Sequence, residues 1–103
     1  MVSDVGDVRI GGTGTREGNL IIKNKEDGVT ITESGATGNH IINNNIGTDG
    51  VLDLGNEGQG ISIVNGAKKN FVGNGDLALA NVISGNEENG IFIEQSDDNR
   101  ING

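Results

Sequence analysis

The acid–base candidates in this sequence are Asp97, Asp98 and Arg100, with Asp49 and Asp53. Hydrolysis of a glycoside needs two carboxyls facing one bond, whereas adjacent residues of an extended segment point to opposite sides, so Asp97 and Asp98 read as corner residues. His40 is the only histidine. It has no serine or carboxylate at triad spacing and reads as an outward residue of a strand. Lys68 and Lys69, the only basic pair, read as a solvated turn. Gly11-Gly12-Thr13-Gly14 lacks the lysine and the following serine or threonine that complete a phosphate loop. No Gly-Gly-x-Gly-x-Asp series repeats as in calcium-binding β-rolls. Thr30-Ile31-Thr32 becomes Ser62-Ile63-Val64 and then Phe92-Ile93-Glu94, which rules out a flat threonine array. The expectation is a chain that is no enzyme and that uses no cofactor and no metal.

The elements around these residues are written as a repeat. Asn24, Asn56 and Asn86 are each followed four residues later by a glycine, Gly28, Gly60 and Gly90. Each glycine opens an apolar alternation: Val29-Thr30-Ile31, Ile61-Ser62-Ile63 and Ile91-Phe92-Ile93. A second line runs through Ile10, Ile41, Val72 and Ile101 at spacings of 31, 31 and 29. It is preceded by Arg9, His40, Phe71 and Arg100, and by Asn39, Asn70 and Asn99 one step earlier. Counting back eight from each glycine gives Leu20, Leu52 and Val82, which predicts a third line. Period-two alternation with β-branched residues argues strands, and glycine interrupts every segment too often for a helix. Residue types that recur about every 31 positions favour a parallel coil over an antiparallel sandwich. Val29, Ile31, Ile61, Ile63, Ile91 and Ile93 are expected to form the core ladder, and Thr30 to face out. The asparagines are expected to stack at one corner, bonding along the axis and tolerating a left-handed backbone. The segments 44–50 and 74–80 are expected as the least regular side or as bulging loops.

Composition agrees with such a coil. The 103 residues hold two aromatics, Phe71 and Phe92, and an apolar fraction of 32%, too little for an ordinary small core. Cysteine is absent, so neither a disulfide nor a thiolate site is available. The charge, 7 − 15 = −8, argues against nucleic acid and against an anionic membrane surface. The start lacks the regions of a signal peptide, and no stretch approaches the roughly 20 apolar residues of a membrane span.

The stretches Gly18-Asn19-Leu20-Ile21 through Gly28-Val29-Thr30-Ile31, Gly35 through Asp49, and Asn81-Val82-Ile83-Ser84-Gly85-Asn86 through Ile93 resemble the right-handed parallel β-helix repeats of the pectin-lyase-like superfamily and of bacterial surface proteins. The resemblance implies an all-β, right-handed, single-stranded parallel β-helix of about three coils with roughly 30 to 32 residues per coil. It implies one domain over residues 1–103, with 1–7 as an N-terminal extension or partial cap. It implies an extracellular or cell-surface location, and it names no activity, since this fold hosts lyases, hydrolases, epimerases and adhesins.

Val8-Arg9-Ile10-Gly11-Gly12 matches Asn99-Arg100-Ile101-Asn102-Gly103 in phase. Such a short body, with open strand edges at each end, is expected to serve as a structural, self-assembling module that stacks end to end into a homo-oligomer or filament. The alternative is a fragment of an extracellular carbohydrate-binding or polysaccharide-processing protein, with a polysaccharide as its ligand.

Overall fold

The computed structural model describes residues 1–102. Its strands are short because turn residues interrupt them every few positions. They are β1 (Val2–Ser3), β2 (Arg9–Ile10), β3 (Leu20–Ile21), β4 (Val29–Thr32), β5 (His40–Ile41), β6 (Asn45–Ile46), β7 (Ile61–Val64), β8 (Phe71–Val72), β9 (Val82–Ile83), β10 (Ile91–Glu94) and β11 (Arg100–Ile101). They form three parallel sheets ordered β1-β4-β7-β10, β2-β5-β8-β11 and β3-β6-β9. The chain visits the first, second and third sheets in turn, so it is a parallel β-solenoid of about three turns with about 30 residues per turn. Gly103, which ends the phase match, lies outside the described residues.

Register follows the apolar alternation. Val29 pairs with Ile61 and Ile31 with Ile63, and these in turn pair with Ile91 and Ile93. Ile10, Ile41, Val72 and Ile101 stack in the second sheet. In the middle coils Ile31, Ile41, Ile46, Ile61 and Ile63 are wholly buried, each contributing about 1.5–3 kcal/mol of transfer free energy. At the C-terminal edge the same column ends in Ile93, which is 40% exposed because no strand lies above it. Val2 and Ser3, read from sequence as part of an extension or cap, pair with Ile31 and Thr32 in the first sheet.

The third line needs correction. Leu20 pairs with Asn45, not Leu52, and Ile21 pairs with Ile46, which pairs with Ile83. Leu52 is 58% exposed in a hairpin closed by a Thr48–Asp53 bridge. Two length changes cancel to produce the false register. Nine residues separate β2 from β3 and β8 from β9, but only three separate β5 from β6. Conversely, seven separate β3 from β4 and β9 from β10, but fourteen separate β6 from β7. The coil length barely changes, so a spacing of 32 between Leu20 and Leu52 mimics a repeat. Segment 44–50 thus holds a core strand followed by the start of a bulging loop, while 74–80 is a bulge around a 3₁₀ turn, Leu77–Leu79.

Candidate functional site

Each corner of the coil is held by stacked asparagines. Asn24 donates from its backbone N–H (3.0 Å) and its Nδ2 (2.8 Å) to Oδ1 of Asn56, and Asn56 repeats the pattern towards Asn86 at 3.1 and 2.8 Å. The other Nδ2–H of Asn56 reaches back to the Ile21 carbonyl at 3.2 Å. One amide therefore accepts two bonds and donates two, the full use of its side chain. Asn39, Asn70 and Asn99 form a second ladder with the same grammar. Asn19, Asn44 and Asn81 form a third. Sequence reasoning missed the third ladder because its members stand 25 and 37 residues apart, the same compensating lengths that displaced Leu52.

At six of the nine ladder positions left-handed backbone lies on the residue before the ladder asparagine, not on the asparagine itself. Lys23, Gly38, Asn43, Lys69, Gly85 and Asp98, with φ of 55°, 72°, 60°, 57°, 73° and 58°, each immediately precede a ladder asparagine. The reversal at these residues turns the chain so that the next amide points into the corner. Gly28, Gly60 and Gly90 have no positive φ. Gly28 and Gly60 are glycines because of close approach: a Cβ on Gly60 would meet the Gly90 carbonyl oxygen at 2.5 Å, and one on Gly28 the Gly60 oxygen at 2.7 Å, whereas one on Gly90 would meet only Ile83 Cγ2 at 3.5 Å.

The ladders give the solenoid a chemical direction. Asn81, Asn86 and Asn99 make no onward bond from their backbone N–H among the described residues, while Asn19 and Asn24 accept nothing on Oδ1. The C-terminal end is rich in free donors, and the N-terminal end offers free side-chain acceptors. Strand edges add to this. Arg100 and Asn102 donate back to Asn70 and Val72, so the Ile101 N–H and C=O between them point away from the body. Val82, Ile93 and Ile101 are exposed along the same edge, and Leu20 is exposed at the other.

The residues considered for chemistry are dispersed. Asp97 and Asp98 sit in the turn before β11. Asp49 caps the hairpin turn, accepting from the N–H groups of Val51 (2.9 Å) and Leu52 (2.7 Å). These two bonds, that from Leu52 first, hold its carboxyl below the ordinary value of 3.8. His40 lies on the outer face of the second sheet, its ring stacked on Phe71 with centroids 4.6 Å apart, between Arg9 and Arg100. Among the described residues no group of three or more histidines or carboxylates is placed to hold a metal ion.

No family model, no curated protein and no solved structure matches the chain. The class is defined by the coil itself: a parallel β-solenoid cross-tied by buried asparagine stacks.

Proposed function

We propose that this chain is a non-catalytic structural module that assembles end to end with further copies of itself, head to tail. The observation that carries the reading is the pair of open end rungs. β9, β10 and β11 present unpaired backbone groups and the half-exposed Ile93 and Ile101 at one end. β1, β2 and β3 present the matching parallel edge at the other. Such edges are templates for strand addition unless something covers them. Stacking β1 on β10 and β2 on β11 continues the inward columns, placing Val2 above Ile93 and Ile10 above Ile101. The same register sets Arg9 above Arg100 and leaves one strand's width open between β9 and the next β3. The junction is therefore weaker than any coil-to-coil contact within the chain, and screening by salt favours it. Descent from the pectin-lyase-like superfamily and an extracellular location belong to this reading and rest on the sequence resemblance alone.

Replacing Ile101 by proline tests the reading. The change removes an N–H that no internal bond uses and blocks edge pairing. Light scattering after size exclusion should show wild-type mass growing with concentration and with salt, and Ile101→Pro holding at the monomer. Equal growth in both would overturn the reading.

A polysaccharide ligand is the second reading, favoured by one observation: the stacked His40 and Phe71 rings between two arginines beside a recess lined by Lys69, Phe71, Asp98, Asn99 and Arg100. A rise in wild-type melting temperature with an acidic polysaccharide, absent in Phe71→Ala, would support it. No rise in the wild type would remove it.

A further inference from the structure

Asn65, Asn74, Asn89 and Asn102 each stand directly before a glycine. Such a pair can react with itself, because the glycine nitrogen, with no side chain beside it, can reach the asparagine Cγ and close a five-membered imide. The peptide group between the two residues must turn towards the side chain to do so. Bonds that hold that group therefore hold the reaction back.

The pairs are held very differently. Gly66 donates its N–H to the Gln95 carbonyl at 2.8 Å, and Asn65 Nδ2 donates to Thr32 Oγ1 at 3.0 Å, so both reacting groups are tied to neighbouring coils. The peptide between Asn89 and Gly90 is pinned through its oxygen, which accepts from Gly60 N–H at 2.9 Å, and the Gly90 carbonyl accepts from Ile61 N–H at 2.8 Å. Asn102-Gly103 reaches outside the described residues. Asn74-Gly75 is free. Both residues are exposed, Gly75 takes φ of 87°, and a Cβ placed on it would meet no atom within 4 Å. Among the described residues no hydrogen bond between coils begins or ends on residues 74–78. The bond that Asn74 does make favours reaction. Its Oδ1 accepts from Asp76 N–H at 3.0 Å, which polarises the Cγ carbonyl and faces the charge that attack places on that oxygen.

We infer that Asn74 is a site of self-modification, converting to aspartate and isoaspartate while Asn65 and Asn89 persist. Hydroxide takes the Gly75 amide proton, and the nitrogen attacks Asn74 Cγ to form the N–Cγ bond. Collapse breaks the Cγ–Nδ2 bond, and Nδ2 takes a proton from water and leaves as ammonia. Water then opens the imide. Addition at Cγ breaks its bond to nitrogen and gives aspartate. Addition at the main-chain carbonyl carbon breaks that carbon's bond to nitrogen and gives isoaspartate, with the chain running through Cγ. Either product adds one carboxylate, −8 − 1 = −9, in the bulge before β9. No coil-to-coil bond is lost there, so the product keeps the fold and accumulates. The reaction is independent of end-to-end assembly.

Peptide mapping by mass spectrometry tests the inference, on chain aged in mildly alkaline buffer made with heavy-oxygen water and on a second sample aged unfolded in guanidinium chloride. The folded chain should lose Asn74 at least about tenfold faster than Asn65 or Asn89, equivalent to about 1.4 kcal/mol. Residue 74 should retain heavy oxygen, and the melting temperature of the aged chain should fall by less than about 2 °C. Unfolding frees every pair alike, so the ratio in guanidinium chloride should drop below about threefold. Asp76→Pro, which removes the assisting N–H, should slow the loss of Asn74, whereas Asp76→Ala, which keeps it, should not. Equal rates in these two variants would overturn the role of that N–H. A smaller ratio in the folded chain, or the same ratio in guanidinium chloride, would overturn the inference.

Discussion

Replacing Asn70 by alanine should destabilise the solenoid far more than replacing Asn24, although both are ladder members. Asn70 is wholly buried and its side chain makes four bonds: it accepts from Asn39 N–H (3.0 Å) and Asn39 Nδ2 (2.9 Å) and donates to the Ala36 carbonyl (3.0 Å) and Asn99 Oδ1 (3.2 Å). Asn39 is 1% exposed and Ala36 not at all, so water cannot replace the lost partner. The Ala36 carbonyl keeps the Lys68 N–H at 3.2 Å, so two orphaned donors, at about 1–3 kcal/mol for each buried group, predict a loss of about 2–6 kcal/mol. Asn24 is exposed on the first rung and its side chain makes one ladder bond, to Asn56 Oδ1 at 2.8 Å. Asn56 Oδ1 keeps the Asn24 backbone N–H, so Asn24→Ala should lose under about 1 kcal/mol. Urea unfolding followed by far-ultraviolet circular dichroism, compared at equal m-value, measures both. Losses within about 0.5 kcal/mol of each other would refute the claim that satisfied burial gives the ladder its strength.

The register of the third sheet predicts that Ile46→Ala, at a wholly buried position, loses about 2–5 kcal/mol, whereas Leu52→Ala stays within about 0.5 kcal/mol; urea midpoints decide between this register and one running through Leu52. Gly60→Ala should lose about 1–3 kcal/mol through overpacking, while Gly90→Ala, whose added Cβ meets only Ile83 Cγ2 at 3.5 Å, should change stability by less than about 0.5 kcal/mol. Because its folded carboxyl is held below 3.8, Asp49 contributes hairpin order that is present above that pH and lost as pH falls through the lower folded value. The amide resonances of Val51 and Leu52 should therefore titrate together with a midpoint below 3.8, and a midpoint at or above it would contradict the cap.

Much of the coil was legible because period-two alternation and corner asparagines are local signals that survive in a single chain. Val29 and Ile31 face in, Thr30 faces out, and Asn24, Asn56 and Asn86 stack as the spacing implied. Leu52 misled because a turn six residues shorter was followed by one seven residues longer, and a spacing count sees only their sum. The third ladder was hidden by the same cancellation. Left-handed backbone was assigned to the asparagines for their tolerance of it, yet it falls on Lys23, Lys69 and Asp98 next door. There the requirement is to aim the following amide inward, and the side chains of Lys23, Lys69 and Asp98 stay in solvent. The side-chain acceptors left free at one end and the donors at the other follow from which way each amide points, and residue types alone do not encode that.

Fibre diffraction from a concentrated, salt-adjusted solution tests end-to-end assembly most directly. Four strands per chain in the first sheet, at about 4.8 Å per rung, set the axial repeat. The account predicts meridional reflections at about 4.8 Å and about 19 Å from filaments one solenoid wide. Particles no longer than the 35 Å extent of a single chain at every concentration, with no axial repeat, would contradict it.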